Sequence, residues 1–338
     1  MENECVSSCG VSVTPELRAL LESDDFATCM QGVHLARSLG DEVVAQLLAG
    51  LRIEARPTRE LFDSPRPHAR LPRYPTTLPQ LVGTKLRDAV VLALADGSNA
   101  IPEQPELAIT GWIDVHHRMP VDLSGLRGSS LRSLLVFEAR ELRGVRVLES
   151  LPLESLRLSN VDAYDLSNVR LSQLRHLVLE AFELRPAPGT RFAPSELTGL
   201  RTLRLYSNPF MLDLEACARM PDLRLLDART ASTVDDLGAL SRLTRLRELV
   251  LTNSRVTDVS SLPDSIDTLG LASARNLVDI APLTRLEKLR VLDLSRTAVR
   301  DWRPLMDLPR LERLNVRMTP IATTLPPELE EKVHAWSR

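Results

Sequence analysis

Cys5 and Cys9 have three residues between them, a spacing that could supply two ligands of a tetrahedral zinc site. Two further ligands would be needed. Cys29 and His34 are the nearest candidates, but both fall within a helical face pattern, so reduced cysteines are the expected state. His116 and His117 are adjacent in the segment from Gly111 to His117. Successive residues of a strand point to opposite faces, so this pair is read as one surface and one core residue rather than as a shared metal site. No glycine loop of the phosphate-cradling type is present, and glycine totals only 14. Neither a Gly-x-Ser-x-Gly elbow nor a His-Glu-x-x-His helix occurs. Four cysteines in 338 residues do not make a disulfide framework, and Cys217 reads as a small buried apolar group. These residues predict no catalytic activity, no metal and no cofactor.

Charge narrows the partner class. The formal net charge is −3, and three lysines leave 39 of the 42 basic residues as arginine. A GC-rich coding sequence produces that bias without selection for phosphate, and no net basic footprint is present, so nucleic acid is not an expected partner. No stretch approaches the ~18 apolar residues that a membrane span needs, so no membrane association is expected. Glu2, Glu4 and Glu16 stand where a signal peptide would place a basic start and an apolar run. The cytoplasm is therefore the expected compartment.

The elements that must position any functional group divide the chain into five regions. Residues 1–53 read as a tail and a helical hairpin. Thr14-Pro15-Glu16 starts one helix, with Thr as cap and Pro at the first helical position. Ser23, Asp24 and Asp25 start a second, whose face carries Phe26, Met30, Val33 and Leu39, and Gly40 closes it. Asp41 opens a third segment with Val44, Leu47, Leu48 and Leu51. Residues 54–80 hold Pro57, Pro65, Pro67, Pro72, Pro75 and Pro79, which predicts a linker or surface strap and no central strand. Residues 81–130 read as degenerate repeats or an N-terminal cap.

Residues 131–325 are a repeat array. Leucine accounts for 63 residues of the chain, and aromatics for only 4%. The spacing Leu-x-x-Leu-x-Leu recurs, with middle leucines at 134, 156, 177, 203, 226, 249, 269, 292 and 314. Successive intervals are 22, 21, 26, 23, 23, 20, 23 and 22 residues. The long interval holds the proline-rich insertion Pro186 to Pro194. Within Leu-x-Leu both leucines face one side of a short strand, and each repeat exposes an apolar face that only stacking can bury. Residues 326–338 predict a capping helix, with Leu329, Val333 and Trp336 over the last repeat.

The segment from Leu243 to Leu262, and that from Leu286 to Leu305, resemble leucine-rich repeat proteins of the short class with periods near 22, as in a phosphatase regulatory subunit and bacterial internalins. The resemblance implies an α/β solenoid, curved, with a parallel sheet on its concave face, and points to a bacterial source. Some bacterial members carry a ubiquitin-ligase domain with a reactive cysteine. The only late cysteine here is Cys217, inside the repeats, so that activity is not expected. The family places Asn three residues after the last strand leucine. Only Asn208 fits, the other copies having Val161, Phe182, Ala231, Ser254, Ala274 and Thr297. An irregular ladder on the same fold is the expectation.

The concave face is the expected functional surface. Its outward positions hold Phe137, Arg157, His176, Glu180, Arg204, Tyr206, Asp227 and Arg229, a mixture typical of protein interfaces. The expected function is a non-catalytic module that binds a protein partner, as a monomer or within a hetero-complex. Two other readings are a regulatory subunit of a phosphatase, GTPase or protease, and a cryptic metal protein or enzyme using the His pair or the N-terminal cysteines.

Overall fold

A computed structural model describes residues 14–21, 26–40, 52–57, 77–82, 106–110, 112–114, 117–118, 120–123, 126–139, 141–162, 165–166, 169–180, 197–206, 212–229 and 231–336. The chain forms two compact units, Met1–Pro152 and Leu153–Arg338.

In the first unit, α1 (Pro15–Leu21) starts where the sequence places it: the Leu17 amide donates to Thr14 Oγ1 at 3.2 Å. It packs on α2 (Phe26–Ser38), burying Leu17 and Ala36 completely, and Gly40 ends the pair at φ +101°. Leu39, counted on the apolar face, is instead 38% exposed, because it lies past the last helical turn. The third helical segment, from Asp41, lies outside the described residues, as do Cys5, Cys9 and His116.

The two ends of the proline-rich segment depart from expectation, while residues 58–76 lie outside the described residues. β1 (Arg52–Pro57) pairs antiparallel with β2 (Thr77–Val82), and β2 pairs with β3 (Glu106–Thr110). Pro79 sits opposite Ala55, and β2 meets β3 only at Gln80↔Ala108. Proline lacks a ladder donor, and the β2–β3 ladder beside it is a single bridge. β4 (Trp112–Asp114) and β5 (His117–Arg118) form a short antiparallel pair. β6 (Pro120–Asp122) runs parallel to β8 (Glu141–Arg143), and β3 parallel to β7 (Ser133–Ala139).

The second unit is built on eight strands: β9 (Ser155–Val161), β10 (His176–Glu180), β11 (Thr202–Tyr206), β12 (Leu225–Ala228), β13 (Glu248–Leu251), β14 (Thr268–Gly270), β15 (Val291–Asp293) and β16 (Arg313–Asn315). Every neighbouring pair is parallel. The middle leucines 156, 177, 203, 226, 249, 269, 292 and 314 stand opposite one another across all eight strands, each fully buried. A β-turn precedes most strands, as where the Leu246 amide donates to the Leu243 carbonyl. The return paths are short helices. α3 (Leu214–Cys217) is capped by Asp213, and 3₁₀ turns follow at Gly238–Arg242, Ala281–Arg285 and Arg303–Leu305. Asp236, Asp258, Asp279 and Asp301 each accept the amide two residues on, one cap per repeat. The last element, α4 (Pro327–Trp336), buries Leu329 and packs on β16, where the Arg313 guanidinium lies 5.7 Å from the Trp336 ring centre.

Two local devices turn the chain at the strand ends. The residue two past the last strand apolar residue is left-handed: Asn160, Asn253, Ser273, Arg296 and Met318 have φ between 57° and 63°. The following position holds the ladder residue. Thr297 and Thr319 do not reach a neighbouring repeat there; their hydroxyls donate to the Leu294 and Val316 carbonyls of their own turns, both at 2.6 Å. Asn208 and Phe182 lie outside the described residues. Met318 is 74% exposed, so its side chain contributes nothing to offset a left-handed backbone. Met318→Gly should raise stability by about 0.5–1 kcal/mol, measured by urea denaturation. A loss of stability would show that this corner carries no strain.

Candidate partner-binding face of the repeat sheet

Period two along each strand leaves the positions between the leucines on the face away from the core. Arg157 lies on β9, His176 and Glu180 on β10, Arg204 and Tyr206 on β11, and Asp227 on β12, with Arg229 just past it. Pairing aligns Arg157, Val178, Arg204 and Asp227 in one column, and Ser159, Glu180 and Tyr206 in the next. Six of the eight residues singled out in the sequence therefore share four adjacent strands, and Arg229 directly follows the last of them. Phe137 falls on β7 of the first unit, opposite Thr110.

These side chains form two charged networks. Arg157 Nη2 donates to Glu180 Oε2 at 2.5 Å, and the Ser159 hydroxyl donates to the same oxygen at 3.0 Å. On the next strands Arg204 Nη1 donates to the Tyr206 hydroxyl at 2.9 Å, which donates in turn to Asp227 Oδ2 at 3.0 Å. Arg229 Nε stands 3.5 Å from Asp227 Oδ1, and its guanidinium lies 5.0 Å from the Tyr206 ring centre. Burial pushes the Tyr206 hydroxyl up to about 12, with Asp227 beside it adding to the shift, so it stays a neutral donor. Burial also raises Asp227, opposed by Arg229 and Arg204. His176 Nδ1 stands 3.1 Å from Thr202 Oγ1, and burial followed by the Arg201 charge lowers its pKa, which favours the neutral ring.

The centre of this face is closed to water. Arg204 and Asp227 are each 1% exposed, and Arg157 is 5% exposed. The pattern assigns a side of the sheet, but it does not say how much water reaches that side. Strands about 4.8 Å apart let oppositely charged neighbours lie flat against one another. The sequence does carry this signal, since Arg204 and Asp227 occupy the same column of adjacent repeats. It is legible only when the columns are read across as well as down. Ser159 and Thr202, outward positions of the same columns, bond Glu180 and His176 respectively. Tyr206, Arg229, Glu180 and His176 remain partly accessible.

Cys217 is fully buried in the repeats, and burial pushes its thiol up to about 12, which makes it unreactive. Among the described residues no group of three or more His, Cys, Asp or Glu could hold a metal ion.

In-register stacking of leucines at this period, on parallel strands returned by short helical turns, decides the architecture. The second unit is a leucine-rich repeat solenoid. The chain matches no protein-family model and no curated protein. Among solved structures it is similar to an internalin (inlF) from Listeria monocytogenes str. 4b F2365, with 18% identity and a TM-score of 0.48 over 68% of this chain and 67% of that one. An internalin C2 (inlC2) from the same strain has 23% identity and a TM-score of 0.46 over 55% and 80% of the two chains. The LRR ectodomain of the plant membrane receptor kinase GASSHO1/SCHENGEN3 from Arabidopsis thaliana has 15% identity and a TM-score of 0.36 over 60% and 32%. The cytoplasmic expectation is contradicted, since the similar structures include this receptor ectodomain. Among the described residues no helix is long and apolar enough to cross a membrane.

Proposed function

We propose that the second unit binds a protein partner through the sheet face centred on Tyr206 and Arg229. The supporting observation is preorganisation. The Tyr206 hydroxyl is held between Arg204 and Asp227, and Arg229 is stacked on its ring and tethered to the same carboxylate. Tyrosine and arginine dominate interface energetics, and here their conformational freedom is already spent before a partner arrives. Arg204, Asp227 and Arg157 then act as positioning residues beneath the contact groups, with Glu180 and His176 at the margin.

The test is affinity capture from the native host, followed by titration of the captured partner. Arg229→Ala should weaken binding at least about tenfold, equivalent to ~1.4 kcal/mol, with the circular dichroism spectrum unchanged. Arg255→Ala and Arg300→Ala, exposed beyond their strands, are the controls and should bind normally. Normal binding by the Arg229 variant together with failure of the two controls would move the functional surface to the loops.

A further inference from the structure

A second charged feature lies outside that face. Arg175, Arg201, Arg224 and Arg247 each immediately precede a strand, on four consecutive repeats. Their backbones are stacked: the Arg201 amide donates to the Arg175 carbonyl at 2.8 Å, Arg224 to Arg201 at 2.9 Å, and Arg247 to Arg224 at 2.9 Å. Arg175 is half-buried and occupied, with Nη1 donating to the Gly199 carbonyl at 3.1 Å. Arg201, Arg224 and Arg247 are exposed, and among the described residues none forms an ion pair.

Their isolation contrasts with neighbouring arginines of the same repeats. Arg242 meets Glu215, Arg245 meets Asp222, Arg285 meets Asp264 and Arg290 meets Glu312, each pair bridging two repeats. Asp222 is thus already engaged. Glu154, Glu248 and Asp267 flank the row, Glu154 and Glu248 being engaged elsewhere, and among the described residues no ion pair joins the three to the exposed arginines. Adjacent strands stand about 4.8 Å apart, so three like charges follow one another along the row, and among the described residues no carboxylate pairs with them. The positive field is felt locally, since Arg201 and Arg175 both act to keep His176 neutral.

We infer that Arg201, Arg224 and Arg247 form a docking strip for an acidic segment of a protein partner, its carboxylates each taken by a guanidinium. The planar guanidinium matches a carboxylate in bidentate geometry, and a strip about 10 Å long suits three carboxylates of an extended peptide. A nucleic-acid strand fits less well. The row ends at Asp267, and the chain as a whole carries a formal charge of −3. Phosphate tracking gains its affinity from longer basic tracks than this. The strip does not depend on the Tyr206 contact, so the two surfaces can fail separately.

The test titrates the intact protein with fluorescein-labelled deca-glutamate at low ionic strength, with an oligo-dT of matching length as the second probe. Deca-glutamate should bind and be released by salt. Arg201→Ser with Arg224→Ser and Arg247→Ser should weaken it about tenfold and leave the melting temperature unchanged or higher, because repulsion has been removed. If the triple variant unfolds, Arg224→Ser alone should give a loss of about threefold. Arg229→Ala should leave deca-glutamate binding unchanged, which separates this strip from the face proposed above. Absence of binding, undiminished binding by the arginine variants, or tighter binding of oligo-dT would overturn the assignment.

Discussion

Asp227→Ala should destabilise the second unit by about 3–5 kcal/mol, among the largest effects of any single polar substitution in this chain. Asp227 is 1% exposed and, among the described residues, is the one carboxylate paired with both Arg204 and Arg229. Its Oδ2 also receives the Tyr206 hydroxyl. Removing it leaves two guanidiniums without their countercharge and the Tyr206 hydroxyl without its acceptor, one guanidinium being itself 1% exposed. The cost is that of a buried charge left unpaired, not the loss of a surface contact. Arg204→Met makes the comparison. It removes one of two positive charges while Arg229 and Tyr206 still serve Asp227, so its cost should be clearly smaller. Chemical denaturation of the two variants checks this order. Equal costs, or a change below about 0.5 kcal/mol for Asp227→Ala, would mean that water reaches the cluster. The same burial makes Arg204→Ala with Tyr206→Ala a destabilising change and not a silent surface one.

Leu249→Ala is the apolar counterpart, with an expected cost of about 2–5 kcal/mol. Leu249 is fully buried on β13 and stands opposite Leu226 and Leu269, which are equally buried. Truncation removes the atoms that both neighbours pack against, and backbones fixed by the parallel ladder cannot collapse into the space. Repeats are stabilised by their neighbours, so amide exchange should quicken in β12 and β14 as well as in β13. Val250→Ala, at a half-buried position on the opposite face of the same strand, is the matched control and should cost less. If the two substitutions cost the same, the leucine column does not carry the stability of the array.

The sequence alone determined the solenoid of the second unit. Each Leu-x-Leu fixes which face is buried, and the period of about 22 fixes which leucine meets which; the structure stacks the eight middle leucines from 156 to 314 in that register. A one-residue slip would turn every leucine outward, so the pattern tolerates no other pairing. The cap at Thr14 and the C-terminal helix were legible for a similar reason, because neither depends on anything distant. Only the tertiary structure decided the rest. Strands at Arg52–Pro57 and Thr77–Val82 form despite their prolines, because they pair with each other over six residues. Left-handed corners fall on Arg296 and Met318, residues with no preference for that conformation, because stacking dictates the bend. Arg204 and Asp227 are buried because the repeat brings residues 23 positions apart into register, and a charge pattern along the chain does not show a charge pair across it.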